Sequence, residues 1–234
     1  MLSKLGIASR TQAAAWIAQG RVAVNGRIVR DAESPTDLAR DRIALDGVDV
    51  AASERVYIML NKPRGIVTTA SDERGRDTVY TLLEGADLPW LAPVGRLDKA
   101  SEGLLLLTND TQWAAAITAP ETHLDKTYHV QVDGLPNDDL LAAMVAGVED
   151  DGERLALKSV RELRRGEKNA WLDIVLDEGR NRQIRRVLAA FDIAVLRLVR
   201  VSIGALALGD LPKGRWRALT ADELRILGAK PPQR

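Results

Sequence analysis

Hydrophobic and polar positions alternate with a period of two in several short stretches of this chain, and those stretches predict its strands. In "KTYHVQVDG", Tyr128, Val130 and Val132 fall on one side and Thr127, His129 and Gln131 on the other, as in a strand with one buried face. "NAWLDIVLDEG" alternates in the same way, and "VYIML", "VLRLVRVSIGAL" and "GRWRAL" supply further strands. "GLLLLT" is apolar without alternation, which is what a strand buried on both faces looks like. Helical spacing marks "DTQWAAAITA", capped by Asp110 and stopped at Pro120, and "NDDLLAAMVAG", which ends in glycine. It also marks "NRQIRRVLAAF", where Ile184, Val187, Leu188 and Phe191 share one face and Arg182, Arg185 and Arg186 lie on another. Asn181 is placed to cap that helix, and Gly179 lets the chain turn tightly into it. The elements mix without a regular βαβ alternation, so the class is α+β with a mostly antiparallel, mixed sheet flanked by helices and loops.

The first fifty residues read as a separate small unit. Ser9 with Gln12 three residues later fits a capping box, and "RTQAAAWIAQ" is a helix that Gly20 can end. "RVAVNGRIV" places two short strands around Asn25-Gly26, a tight-hairpin signal, and "DRIALDG" adds another strand. "GVDVAASERV" has the composition of a linker. The division is therefore 1–52 for the small unit and linker, 53–228 for the main domain, and 229–234 for a frayed tail.

A chain of 234 residues suits one large domain with a small companion. With no cysteine, disulfides and thiolate metal sites are excluded, and His123 and His129 alone do not make a histidine-rich zinc site. No apolar run reaches bilayer length, and "MLSKLGIASR" lacks the apolar core of a signal peptide, so a cytoplasmic protein is expected. The formal charge is zero but unevenly spread: residues 51–157 carry 9 Lys+Arg against 18 Asp+Glu, and the remainder 24 against 15. "GRNRQIRRVLAAFDIAVLRLVRV" holds six arginines and one acid. Such a patch fits a nucleic-acid footprint, although charge alone favours a solvated helix face.

One polar pair stands out against this background. In "APVGRLDKASEGLLLLTND", Arg96 and Asp98 sit in a turn just before the buried leucines. A lone acid there is most often an ion pair or a turn cap. Held at the lip of a sheet, it can also serve as nucleophile or base. A partly desolvated carboxylate stays ionised only beside a fixed cation, and Arg185 is the candidate. Tyr128 points inward, either as core or as a stacking platform for a base, while His129 reads as a surface side chain. Arg74 and Arg76 in "SDERGRD" are solvated or reach phosphates, and Trp16, Trp113 and Trp171 read as core.

"NKPRG" with Thr68, then "GRLDKASEGLLLLTND", "KTYHVQV" and "EGRNRQIRR" resemble, in order, the signatures of bacterial ribosomal RNA pseudouridine synthases of the RsuA/RluB/RluE/RluF type. The likeness runs from about Val56 to about Leu227, and "GRNRQIRR" leans toward the large-subunit enzymes. "ASRTQAAAWIAQGRVAVNGRIV" resembles the S4-like RNA-binding domain that often precedes this catalytic domain. Only "MLSKL" stands before it, so the opening helix of such a domain is expected to be short.

The resemblance implies isomerisation of uridine to pseudouridine, with no cofactor and no metal. Asp98 is then the catalytic residue, acting on the ribose of a flipped uridine by attack at the anomeric carbon or removal of a ribose proton. Tyr128 stacks on the base, and Arg185 pairs with the aspartate. Lys62, Arg96, Arg182 and Arg186 join Arg10 and Arg21 of the small unit as expected RNA contacts. The implied partner is ribosomal RNA, free or in an assembly intermediate, and nothing demands more than a monomer. Two other readings stand beside this one. The first is a non-catalytic RNA-binding or assembly factor. The second, ranked low, is a glycosidase, which needs a second acid that no motif nominates.

Overall fold

The computed structural model describes residues 1–70, 72 and 74–228; the expected tail at 229–234 lies outside them. The small unit opens with turns over the first six residues and then helix α1 (Arg10–Ala18). Ser9 Oγ accepts the Gln12 N–H at 3.0 Å, and Gly20, at φ +73°, turns the chain out of the helix. Strands β1 (Val22–Val24), β2 (Arg27–Ile28), β3 (Ile43–Leu45) and β4 (Val48–Asp49) form an antiparallel sheet in the order β2-β1-β3-β4. Asn25 and Gly26 both take positive φ, as the tight β1–β2 turn requires. Leu2, Ala8, Ala13, Ile17, Val22 and Ile43 make a core of their own, with Trp16 only partly buried at its edge. Part of the stretch expected as linker is therefore strand β4.

The main domain follows in the order β5 (Tyr57–Lys62), β6 (Ala92–Val94), β7 (Glu102–Thr108), α2 (Thr111–Thr118), β8 (Lys126–Asp133), α3 (Asp138–Ala146), β9 (Val148–Asp150) and β10 (Glu153–Leu155). It continues with β11 (Ser159–Arg165), β12 (Asn169–Leu176), α4 (Gln183–Ala189), β13 (Val195–Ile203), β14 (Leu206–Ala207), β15 (Trp216–Ala218) and α5 (Ala221–Ile226). Among the described residues nine strands form the central sheet in the order β11-β12-β8-β13-β7-β5-β15, with β14 on β13 and β6 on β7; β9 and β10 form a separate hairpin. Every pairing within the sheet is antiparallel except that of β13 with β7.

The four leucines of β7 explain the run without alternation. Leu105 and Leu107 join a core with Tyr128, Val130, Leu172, Ile174 and the α4 residues Ile184, Val187 and Leu188. Leu104 and Leu106 point the other way, to Met59, Trp113 and Ile117 of α2 and Leu224 of α5. Each fully buried leucine contributes roughly 1.5–3 kcal/mol, so β7 is an anchor from which neighbouring loops can be held.

Two sequence expectations need correction. Asn181 does not cap α4: the N-cap is Arg182, in a left-handed conformation at φ +51°, and the helix ends before Phe191. No side chain caps the helix; Gln183 instead reaches back to the turn before it, its Oε1 accepting the Arg180 N–H at 3.2 Å. Trp171 is not core either. It is half-buried on the open face of the sheet, with the guanidinium of Arg164 4.8 Å and that of Arg197 5.8 Å from its ring centre.

Gly103 sits where β7 meets β13, opposite Arg200. Its φ is +101°, and a Cβ there would lie 2.2 Å from the Arg200 carbonyl oxygen. The neighbour is backbone and cannot rotate away. Gly103→Ala is therefore expected to cost more than about 3 kcal/mol, in the range of strain plus overpacking. Urea unfolding of the two proteins measures it, and a loss within 1 kcal/mol (about the ordinary effect of a point mutation) would contradict the steric account.

Candidate active site

The turn carrying Asp98 runs from Leu97 to Ser101, between β6 and β7, and its backbone is held from outside at every carbonyl. The Leu97 oxygen accepts from Thr68 Oγ1 at 2.8 Å, and the Lys99 oxygen from the Gly65 N–H at 2.8 Å. Arg185 Nη2 donates to the Ala100 oxygen at 3.2 Å. The Asp98 and Ser101 oxygens both accept from Lys62 Nζ, at 3.1 and 2.9 Å, and the same ammonium reaches Pro63 O at 3.1 Å. Five consecutive carbonyls are thus fixed by two separate stretches of the chain, residues 62–68 and Arg185 of α4.

Lys62 was expected to meet RNA or a carboxylate. It is fully buried instead, and its three N–H groups are matched to three backbone oxygens. Burial pushes its pKa down to about 8, against the pull of Asp98 and Glu102 toward the charged form. Lys62 is a positioning residue.

The Asp98 carboxylate stands about one-third exposed, and Arg182 Nη1 lies 3.6 Å from Oδ2. The expected partner, Arg185, makes no ion pair with it within 4 Å among the described residues. Its Nη2 is spent on the Ala100 carbonyl and its buried Nε has no partner. Burial and the nearby Arg182 lower the pKa of Arg185, while Asp98 opposes them, so Arg185 feels the aspartate without touching it. Arg182, left-handed at the N-cap of α4, takes the place beside the carboxylate that the sequence assigns to Arg185.

Asp98, Tyr128, Arg182 and Arg185 all line one cleft of about 540 Å³, within the size range of small-molecule sites. Tyr128 forms part of its wall, in register between Ile174 and Arg200. Six cations line this cleft (Arg96, Lys126, Arg180, Arg182, Arg185 and Arg200) against three acids, Asp98, Asp177 and Glu178. A second cleft of about 520 Å³ opens beside it, lined by Arg74, Arg76, Lys99 and Asp72, and shares Arg96, Leu97, Asp98 and Arg182 with the first. Asp98 therefore stands on the ridge between two largely basic hollows.

The remaining expected contacts are dispersed. Arg96 is exposed on the wall of both clefts. Arg76 is tied to Asp72, which it holds well below the usual carboxylate range. Arg186 is turned away, donating to Asp150 and to Glu153, so that it fastens α4 to the β9–β10 hairpin instead of lining either cleft. In the small unit Arg10 is exposed, whereas Arg21 forks onto Asp46 and lies 5.1 Å over the Trp16 ring. Sequence reasoning passed over Lys126 and Arg200, both on the wall of the first cleft.

A braced aspartate, a tyrosine ring and arginines with unfilled donors occur together in a basic cleft. Residues 56–190 match the family model described as RNA pseudouridylate synthase, and residues 1–37 match that of the S4 domain. The chain belongs to the RNA pseudouridylate synthase family. This synthase is 39% identical over 228 residues to an Aquifex aeolicus protein described as an uncharacterised RNA pseudouridine synthase, covering 97% of this chain and 91% of that one. It is 34% identical over 232 residues to ribosomal large subunit pseudouridine synthase B of Bacillus subtilis, covering 98% and 94%. A crystal structure of a pseudouridylate synthase superimposes with a TM-score of 0.69 at 32% identity, covering 97% of this chain and 96% of that one. Among the described residues no helix of the synthase is long and apolar enough to cross a membrane.

The brace yields a test. Lys62→Met takes the ammonium from the Pro63 and Ser101 carbonyls and leaves the Asp98 carbonyl only the Ser101 N–H, which costs about 1–3 kcal/mol of stability. It frees the Asp98 turn to shift, and misplacement by 1 Å (the scale expected here) costs about 100-fold in turnover. The pH dependence has a distinctive sign. Above pH 8 or so the folded protein sheds the Lys62 proton while the unfolded chain keeps it to about 10.5. Lys62 therefore adds stability across that window, yet a neutral amine has only two donors for three oxygens. Single-turnover rates are expected to fall above pH 8 without a matching loss in melting temperature. Parallel loss of both would contradict the positioning role.

Proposed function

We propose that this synthase isomerises a specific uridine in ribosomal RNA of the large subunit, with Asp98, Tyr128 and the arginine pair Arg182 and Arg185 as its machinery. The observation that carries the reading is the Asp98 turn: five hydrogen bonds from four outside groups hold a carboxylate on a ridge between two basic hollows. A purely structural acid needs no such brace. The name of the Bacillus subtilis relative supports the large subunit as the source of the RNA, and the S4 unit and the basic ridge support a structured RNA as partner.

In this reading the RNA backbone runs across the ridge and one uridine is flipped into the first cleft. Flipping costs a few kcal/mol, offset by stacking on Tyr128 and by cation contacts. Asp98 acts on the ribose as the N1–C1′ bond breaks. The freed uracil turns, its C5 bonds to C1′, the C5 proton leaves and N1 takes one up. Product and substrate have the same atoms, so the reaction draws on no co-reactant. Tyr128 is the side chain of the cleft assigned to the C5 proton. Arg182 and Arg185 keep the Asp98 carboxylate ionised near the ribose. The molecule acts as a monomer on a cytoplasmic assembly particle or on free RNA, the two substrates differing in which uridines are accessible.

A non-catalytic assembly factor would use the S4 unit and the arginines equally well, but it leaves the braced aspartate without a task. Large-subunit rRNA transcribed without modifications, incubated with the protein and mapped chemically for pseudouridine, separates the two. Wild-type protein is expected to give one or a few new sites, and Asp98→Asn none, with RNA affinity kept within a few-fold. Tyr128→Leu is expected to lose about 10- to 100-fold in rate, the scale of one stacked base. Absence of any new site on free rRNA and on assembly intermediates would overturn the enzymatic reading. RNA affinity should also fall steeply between 50 and 200 mM salt, in proportion to the phosphates contacted.

A further inference from the structure

Arg200 is a charged residue with no evident structural need for its charge. Its side chain belongs to β13 directly opposite Tyr128 of β8, and it is 6% exposed. Its Nε donates to the Leu104 carbonyl of β7 at 2.7 Å. Its Nη2 is buried and unpartnered, and among the described residues no carboxylate lies within 4 Å of the guanidinium. Locking β13 to β7 needs only the Nε bond, which a neutral donor would make as well. A buried cation with an empty donor costs free energy that a leucine or methionine in this apolar surrounding, beside Leu198 and Ile203, would not. Such a group in a native structure calls for an explanation.

The surroundings supply one. Arg200 lines the first cleft, and Lys126 lines it two residues before Tyr128 on the same strand. Among the described residues Lys126 Nζ reaches only the Asp177 carbonyl, at 3.5 Å. Burial lowers its pKa, the nearby charge of Arg200 lowers it further, and Asp125 and Asp177 oppose both. Two cations held close together around a ring-stacking tyrosine present only donors. They demand an acceptor, either a carbonyl oxygen of the base or a phosphate oxygen. The position favours the base. Arg200 and Tyr128 are cross-strand neighbours, so whatever stacks on the ring brings its edge to the guanidinium, whereas a phosphate lies a sugar's length away. The Nε bond to Leu104 fixes the fork in advance.

We propose that Arg200, with Lys126, reads the C4 carbonyl of the flipped base and so determines that this site takes uridine and refuses cytidine. At C4 uracil offers an oxygen acceptor and cytosine an amino donor. A donor facing fixed, partly desolvated cationic donors leaves all of them unsatisfied, which is the arrangement that discriminates best. The inference rests on the enzymatic reading above and names the residues that set its base specificity.

The test uses the full-length protein and the RNA fragment containing the uridine found by pseudouridine mapping. Three versions of the fragment carry uridine, cytidine or 4-deoxyuridine (a pyrimidin-2-one, which lacks the C4 oxygen) at that position. Binding is measured on the Asp98→Asn background to prevent conversion, and turnover of the uridine fragment is measured on the otherwise wild-type chain. The Asp98→Asn protein is expected to bind the uridine fragment about 10- to 100-fold more tightly than the other two, the scale of one hydrogen bond to a charged group. Adding Arg200→Met is expected to bring uridine down to the level of cytidine and leave the other two unchanged, with the salt slope unaltered. Lys126→Met is expected to shift the preference in the same direction by a smaller factor, and Arg200→Lys to retain part of it. Melting curves accompany each variant. If Arg200→Met does not fold, Arg200→Lys and Lys126→Met carry the comparison.

An equal loss for all three bases together with a shallower salt slope assigns Arg200 to a phosphate and overturns the proposal. A preference for uridine that survives in every variant overturns it too. Failure of the wild-type protein to isomerise any uridine is a different outcome, and it removes the enzymatic reading on which this one stands.

Discussion

The buried ammonium of Lys62 is the constraint around which the site is arranged. Taking a cation out of water costs several kcal/mol unless its donors are fully matched. Lys62 meets that requirement with the carbonyls of Pro63, Asp98 and Ser101. The matching works in both directions: the turn must keep its shape for the lysine to remain charged, and the charged lysine keeps the turn in shape. Pro63, next in chain, fixes its own φ and lacks an N–H that would compete for those oxygens. Thr68, Gly65 and Arg185 then take the carbonyls that Lys62 cannot reach. Asp98 consequently stands on a backbone with little freedom left, the condition under which a carboxylate can be held to within a fraction of an ångström of a reacting atom.

A second constraint brings the opposite wall of the cleft to that aspartate. The pairing of β13 with β7 is the one parallel seam of the sheet among the described residues, and it is possible at this closeness because Gly103 has no Cβ. Through this seam Arg200 reaches the Leu104 carbonyl, and through the next pairing Tyr128 is placed alongside Arg200. The leucines beyond Gly103 are buried on both faces and transmit that placement to the two cores. The same short segment therefore fixes the aspartate at its start and the Tyr128–Arg200 wall of the cleft along its length.

Much of this was legible in the chain. Period-two alternation located β8 and β12, the unbroken leucines located β7, and Asp98 drew notice as an acid at the entrance to a buried strand. Trp171 was not: its residue type reads as core, whereas it is half-buried under the guanidinium groups of Arg164 and Arg197. Other features left less trace. Lys62 binds backbone oxygens, which every residue carries, so no partner could be named from sequence. The arginines of α4 were grouped by a helical period that starts one residue too early. With Arg182 left-handed and the helix beginning at Gln183, Arg182 leans to Asp98, Arg185 grips the turn, and Arg186 turns to Asp150 and Glu153. One φ value redistributes three side chains that sequence spacing had treated alike.

The site is thus rigid in its backbone and slack in its charges. The carbonyls of the Asp98 turn are all taken, whereas Arg182 stands 3.6 Å from the carboxylate, Arg185 Nε is unpartnered and Arg200 Nη2 is empty. An ion pair already tight would have to be broken before RNA could use either member, at a cost in binding. Slack cations around a fixed acid keep that interaction energy available for the moment when a ribose, a base edge and the flanking phosphates arrive together. In an interior of low dielectric these contacts strengthen as water leaves. On the proposed function, chemistry then rests on the part of the site that does not move, and discrimination on the part completed by the correct nucleotide.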